Sequence, residues 1–266
     1  MLQQTQVDRV VPAFERFVAA FPDFASLARA SRADVVRAWK GLGYNSRAVR
    51  LHELARAVCE RHAGCLPNDE AALRALPGIG PYTARAIRAF AFGASVVALD
   101  TNLRRIVHRT QLGLEHPALA GERELDALAA GLLPKGRGFA FNSALMDLGA
   151  TLCTARAPKC ASCPLRSQCA AAPVDAARLA RRAAATAAAK PARQRQPFES
   201  TSRYARGRVV DRLRALPGDG ALSLLDLRAE LAAAIGQSAN AVGDAVEGLE
   251  RDGVLERLGD AVRLRA

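Results

Sequence analysis

Cys153, Cys160, Cys163 and Cys169 fall within seventeen residues of one another, in CTARAPKCASCPLRSQC, with gaps of six, two and five. Four thiolates this close in sequence can converge on one centre. Two chemistries compete for them. Structural zinc usually takes two separated Cys-x-x-Cys knuckles, and only one such pair is present. A single compact loop bent by Pro158 and Pro164 better suits a cubane iron–sulfur cluster, a [4Fe-4S] centre. Disulfides belong to oxidising compartments and are not expected in a cytosolic chain. Cys59 and Cys65 lie outside the spacing and take no role.

Two further stretches could do chemistry. VVALDTNLRRIVHR sets Asp100 after four apolar residues and just before Thr101, Asn102 and a helical run. An aspartate there caps a helix. The same carboxylate, partly desolvated beside a helix terminus, can also serve catalysis. LPGIG, from Leu76 to Gly80, joins two helical segments. Gly78 and Gly80 allow a tight turn whose backbone N–H groups face outward beside a helix N-terminus. Such a turn grips a phosphate without reading sequence; a plain turn is the alternative.

The charge distribution agrees with a polyanionic partner. The chain of 266 residues carries a formal charge of +12, with 34 arginines to four lysines. Residues 1–173 hold +8, residues 174–198 hold +5 and residues 199–266 hold −1. A basic body with a basic tether points to nucleic acid. No run of 18 apolar residues occurs, so no membrane span is expected. No charged-then-apolar leader is visible, so the expected location is the cytoplasm, near the nucleoid.

These features need elements to position them, and the pattern is helical almost throughout. In DRVVPAFERFVAAF the apolar residues recur at 10, 11, 14, 17, 18 and 21, a helical spacing. Ser31 can cap a helix through Ala33–Trp39, and Arg47–His62 repeats the period. DEAALRALPGIGPYTARAIRAFAFG reads as two helices broken at the turn. Residues 174–198 are Ala/Arg-rich without an apolar stripe and read as a linker with at most transient helix. Residues 199–266 read as three helices, the second and third capped by Ser223 and Ser238, then two short strands around a Gly-Asp turn. That is the outline of a winged helix. Its third helix carries Asp244, Glu247 and Glu250, which suits packing or protein contact better than the DNA major groove.

Taken together, MLQQTQV, GLGYNSRA, LPGIGPYTA, LDTNLRRI, FNSALMDLGATLC and the cysteine spacing resemble, in order, the adenine DNA glycosylases. These are the A/G-specific, MutY-type enzymes of the helix-hairpin-helix superfamily. The resemblance covers about residues 1–172. The cysteine spacing and hairpin are shared with endonuclease III; MLQQTQV and MDLGA-x-x-C point to the adenine branch. The fold implied is all-α, a helix-hairpin-helix glycosylase core with an iron–sulfur loop, followed by the small winged-helix-like α+β module. Expected boundaries are 1–100 for a six-helix-type barrel with the hairpin, 101–173 for the cluster domain, 174–198 for the linker and 199–266 for the module.

The resemblance also implies a function and a site. The substrate is double-stranded DNA containing adenine mispaired with 8-oxoguanine or guanine, and the N-glycosidic bond is hydrolysed. Two carboxylates are expected, as in sugar hydrolysis. Asp100 matches the one that faces the developing positive charge. Tyr82 and Asn102 match residues lining the base pocket. Gln4 and Tyr44 match residues that wedge into the base stack, and Leu76, Gly78 and Gly80 belong to the DNA-gripping hairpin. Relatives that cleave the strand carry lysine where this chain has Tyr82, so base removal without strand cleavage is expected.

The chain departs from the pattern at both ends. The resemblance places a proton-donating glutamate immediately before Met1, and about thirty residues of helix before that. The expectation is that the sequence begins at an internal methionine; a truncated, inactive relative is the alternative. Many relatives end in a nucleotide-hydrolase-like domain that recognises 8-oxoguanine, and residues 199–266 are too short for one. Rival functions are a thymine-mismatch glycosylase on the same scaffold and a non-catalytic DNA-binding relative. A monomer is expected, with a protein partner for the C-terminal module.

Overall fold

A computed structural model of the chain describes residues 1–113, 121–188 and 196–266. It is mostly helical, with one small sheet, and divides into two compact units. Unit 1 is Met1–Pro67, Leu76–Gly78 and Gln194–Ala266; unit 2 is Asn68–Ala75 and Ile79–Arg193. Among the described residues no helix is long and apolar enough to cross a membrane.

Unit 1 begins with α1 (Val7–Ala20), α2 (Phe24–Arg29), α3 (Arg32–Ala38) and α4 (Ser46–His62). Asp23 and Ser26 form a capping box at the start of α2, and the Ser31 hydroxyl caps α3 as expected. The periodic residues of α1 split into two stripes. Val10, Ala13 and Phe17 are buried, whereas Val7, Val11, Phe14 and Val18 are exposed. The same unit holds α11 (Ser202–Arg214), α12 (Leu224–Ile235) and α13 (Ala239–Arg251). With them go strands β1 (Leu222–Ser223), β2 (Leu255–Leu258) and β3 (Ala261–Leu264), in the antiparallel order β1-β3-β2. Arg257 faces Val262 across the β2–β3 hairpin, which closes through Gly259 and Asp260.

Ser223 and Ser238 cap α12 and α13. The winged-helix outline is therefore correct, with one strand more than the sequence pattern showed. This module does not build its core alone. Trp39, Val35, Val36 and Val49 share one apolar cluster with Val209, Leu213, Val246 and Leu255. Burial at about 25 cal/mol per Å² is the main force joining them.

Unit 2 contains α5 (Glu70–Arg74), α6 (Pro81–Phe90), α7 (Thr101–Leu112), α8 (Glu122–Leu132), α9 (Gly138–Thr151) and α10 (Ala176–Ala188). Its apolar cluster is smaller, built on Val97, Leu99, Leu103, Val107, Leu125 and Ala129. The helix α10 corrects the expected linker. Alanine and arginine are strong helix formers, and Asp175 caps the first turn by accepting from Ala177 and Arg178 N–H. Val174 and Leu179 are buried, so two apolar residues suffice where a stripe was sought. The remaining stretch, 189–195, lies outside the described residues.

Candidate functional site

The centre of unit 2 is α7, whose two ends do different work. At its start Asp100 is the N-cap. Its Oδ1 accepts from Asn102 N–H at 2.8 Å and Leu103 N–H at 2.7 Å. The carboxylate is half-buried, and its second oxygen has no hydrogen bond within the described residues. One oxygen therefore fixes the orientation of the carboxylate, and the other carries no protein hydrogen bond among the described residues.

The extended chain leading to Asp100 is held by a residue from the FNSALMDLGATLC stretch that is given no role there. Asn142, fully buried on α9, accepts from Ala98 N–H at 2.8 Å and donates to Val96 O at 2.9 Å. Its amide also donates to Gly138 O at 2.7 Å. Gly138 is there for closeness: an added Cβ would stand 2.1 Å from Ala94 O.

Tyr82, in the first turn of α6, lies close enough to feel Asp100. Burial first, and the Asp100 charge second, push its phenol above the ordinary tyrosine value, so the hydroxyl stays neutral. Asn102 is oriented in turn by Arg105, which donates to Asn102 Oδ1 at 2.7 Å. The same guanidinium donates to Gly149 O at 2.7 Å and Cys153 O at 2.6 Å. The glycine of MDLGA explains how α9 comes so near, because a Cβ at Gly149 would meet Asn102 Cβ at 2.5 Å. The structure thus places Asn102 on the cap that Asp100 forms, and Tyr82 within electrostatic reach of Asp100. Arg105 and Asn142 stand inside the stretches LDTNLRRI and FNSALMDLGATLC, yet the sequence pattern does not reveal their supporting contacts.

The far end of α7 holds the cysteine loop. Cys153, Cys160, Cys163 and Cys169 all line one pocket, with Ile106, Arg109 and Leu152 among its walls. Arg109 is buried and donates to Cys153 Sγ at 3.3 Å and Thr154 O at 2.8 Å. Val174 N–H reaches Cys160 Sγ at 3.5 Å, and Ala171 N–H bonds to Arg109 O at 2.9 Å. Among the described residues no three ligand side chains close on a single ion. Four thiols lining one pocket, with N–H donors aimed at two of them, fit a polynuclear thiolate group better than one zinc ion. Cys59 and Cys65 are free thiols elsewhere, in unit 1.

Unit 1 contains Gln4 and Tyr44. Among the described residues only three other than glycine have positive φ: Gln4 at 57°, Tyr44 at 46°, and Ala63, which ends α4. Left-handed backbone is costly for such residues and gathers at functional loops. Both side chains are exposed and line one groove of about 890 Å³.

Arg47 ties the two loops together. It donates to Gln3 O at 2.6 Å, Thr5 Oγ1 at 3.0 Å and Leu42 O at 2.9 Å. Its guanidinium also lies 5.4 Å from the Trp39 ring centre and 5.7 Å from that of Tyr44. The motif GLGYNSRA contains this arginine, yet nothing local marks its role.

In the hairpin, Gly78 has φ 77°, and a Cβ there would meet Arg50 Cβ at 3.2 Å. Gly80 is the N-cap of α6, with Pro81 at the first helical position. Gly78 and Gly80 are both exposed. Leu76 is different: it is 3% exposed, a core side chain, so its place at the turn leaves only backbone to offer a ligand.

Comparison with known proteins bears on the family and the fold. The family description "HhH-GPD superfamily base excision DNA repair protein" matches residues 1–130. Adenine DNA glycosylase of Mycolicibacterium smegmatis is 44% identical over 214 residues, which are 80% of this chain and 69% of that protein. A thermostable thymine-DNA glycosylase superposes with a TM-score of 0.60 at 31% identity, covering 64% of this chain and 79% of that one. Endonuclease III, trapped as a covalent intermediate with DNA, shares the fold with a TM-score of 0.55 at 22% identity, over 63% and 78% of the two chains.

Proposed function

The chain belongs to the adenine DNA glycosylase family, and from that premise we propose that it removes adenine mispaired with 8-oxoguanine or guanine from duplex DNA. The reaction is hydrolysis of the N-glycosidic bond in base-excision repair. The observation that carries this reading is Asp100: one carboxylate oxygen locked by two helix N–H groups, the other without a partner among the described residues, near a neutral phenol.

The adenine must leave the stack to be reached. As the bond to the base breaks, positive charge develops on the sugar, and the carboxylate of Asp100 stabilises it. Asn102, held by Arg105, and Tyr82 line the pocket for the base. Tyr82 offers no amine, so no Schiff base forms and the strand stays intact. Gln4 and Tyr44 enter the base stack, and the hairpin at Gly78 and Gly80 takes a phosphate. Cys153, Cys160, Cys163 and Cys169 would hold a [4Fe-4S] cluster, which when bound ties the ends of its loop together. The protein acts as a monomer, on the DNA of the nucleoid.

A thymine specificity on the same scaffold is the second reading, favoured by the thymine-DNA glycosylase likeness. The higher identity to an adenine enzyme favours adenine. The test is base release from duplexes carrying adenine opposite 8-oxoguanine, adenine opposite guanine, and thymine opposite guanine, with strand scission read before and after alkali. Adenine release, with scission only after alkali, is expected. Asp100→Asn should lower the rate by about 10²–10⁴ while changing stability by less than about 0.5 kcal/mol, since asparagine caps a helix as well as aspartate. Release of thymine alone would overturn the specificity. Tight binding with every base retained would overturn the reaction.

A further inference from the structure

The groove that holds Gln4 and Tyr44 has a second wall with no part in the reaction above. That wall is α11, the first helix of the C-terminal module, contributing Arg203, Tyr204, Arg206, Arg208 and Arg214. With Arg9, five arginines face two carboxylates, Asp211 and Asp252. The carboxylates are spoken for. Arg206 pairs with Asp252, and Arg214 pairs with Asp211 at 3.1 Å while also donating to Asn45 Oδ1 at 2.9 Å. Arg9, Arg203 and Arg208 have no carboxylate partner among the described residues, and Arg9 and Arg203 are exposed. Arg203 also stacks its guanidinium 5.0 Å from the centre of the Tyr44 ring, so the module reaches the loop itself.

Unpaired guanidinium groups gathered in one groove repel each other and attract a polyanion. Their planar fork matches phosphate oxygens. The helix that a winged helix usually offers to DNA is poorly suited here. On α13, Glu247 and Glu250 are already engaged by Arg257, and Asp244 adds further negative charge.

We propose that α11, with Arg9, is a phosphate-binding wall that carries the substrate duplex past the Tyr44 loop. The C-terminal module then contacts DNA through its first helix and not its third. This inference rests on the proposed function for the identity of the polyanion as duplex DNA, and is independent of the chemistry at Asp100.

The experiment uses the whole 266-residue protein and measures binding to two duplexes, undamaged and carrying adenine opposite 8-oxoguanine, over a series of salt concentrations. For R203Q/R208Q, the slope of log K against log salt should fall by about two, one for each phosphate no longer held, with affinity down about tenfold or more on both duplexes. Arg208→Lys keeps the charge and should keep the slope. D244N/E247Q on α13 should change neither. Unfolding midpoints show that each variant folds.

An unchanged slope in a folded R203Q/R208Q overturns the proposal, as does a slope that moves only in the α13 variant. If a folded R203Q/R208Q keeps its DNA affinity but loses an acidic peptide, the wall serves a protein and the proposal fails. The slope can also drop as expected while no base is released from any mispair. The wall then stands, and it is the reaction that fails.

Discussion

Arg47 and Arg105 do similar work in the two units, by different physics. Each ties together segments distant in sequence through several hydrogen bonds from one guanidinium. Arg105 is 7% exposed, and all its partners are uncharged oxygens: Asn102 Oδ1 and the carbonyls of Thr101, Gly149 and Cys153. Arg47 is half-buried, lies over two aromatic rings, and leaves its buried Nε without a partner. One is a closed network with a single arrangement. The other is a clasp on two left-handed loops, with water at hand if it opens. The arrangement around Asp100 is fixed, whereas the loops of Gln4 and Tyr44 keep some freedom.

The largest effect should come from breaking the closed network. Arg105→Leu strands at least three acceptors in the interior of unit 2. At about 1–3 kcal/mol for each buried group left unpaired, the loss should be about 3–5 kcal/mol. Arg105→Lys should recover little, because an ammonium cannot span both arms of the fork. Urea unfolding monitored in both variants checks this. A cost below about 1 kcal/mol for Arg105→Leu would mean the network is not closed.

Gly149→Ala attacks the same contact from the other helix. Its new methyl would press on the Asn102 side chain and backbone, so α9 must move from α7. Overpacking of this kind costs about 1–3 kcal/mol. It should also slow adenine release by displacing Asn102, without changing affinity for undamaged DNA. An adenine-release rate equal to that of the parent protein would show that Asn102 is not held where the pocket needs it.

The clasp should give way more gently. Arg47→Met retains much of the contact with the rings and loses the hydrogen bonds, several of which water can replace. A stability loss of about 1–2 kcal/mol is expected. Its specific signature is in binding: preference for the mispaired duplex over the undamaged one should shrink, because Gln4 and Tyr44 lose their common anchor. Unchanged preference would break the comparison, leaving Arg47 a structural residue only.

These differences also explain what could be read from the sequence. Caps are local, so Ser31, Ser223, Ser238 and Asp100 are legible from their neighbours. The cysteine spacing and the LPGIG turn are equally local. Arg105 reaches Cys153 across 48 residues and Arg47 reaches Gln3 across 44, and no spacing rule spans such distances. Asn142 looks like any polar residue on a helix until its partners at 96 and 98 are seen. Leu76 misleads because a turn motif does not say which of its side chains folds inward. A change in composition sets the boundary at 199. The apolar residues beyond it nonetheless complete a core begun by Val35 and Trp39, a long-range fact that composition does not carry.

The smallest predicted effect tests the apolar side of the contrast. Unit 1 buries one polar side chain among the described residues, His52; the others, Arg105, His108, Arg109 and Asn142, are all in unit 2. Burial first, and Arg32 nearby second, lower the His52 pKa below the ordinary 6.5. The unfolded chain therefore takes up this proton near pH 6.5, and the folded protein only at lower pH. Between those values the unfolded state binds more protons, so stability falls as pH falls, and above about 6.5 His52 adds no pH dependence. His52→Leu removes the titrating group from a buried site, so its unfolding free energy should decline less than that of the parent as pH drops below about 6.5. Equal slopes for the two proteins over that range would show that His52 is solvated or paired when folded, and that unit 1 is less purely apolar than its core implies.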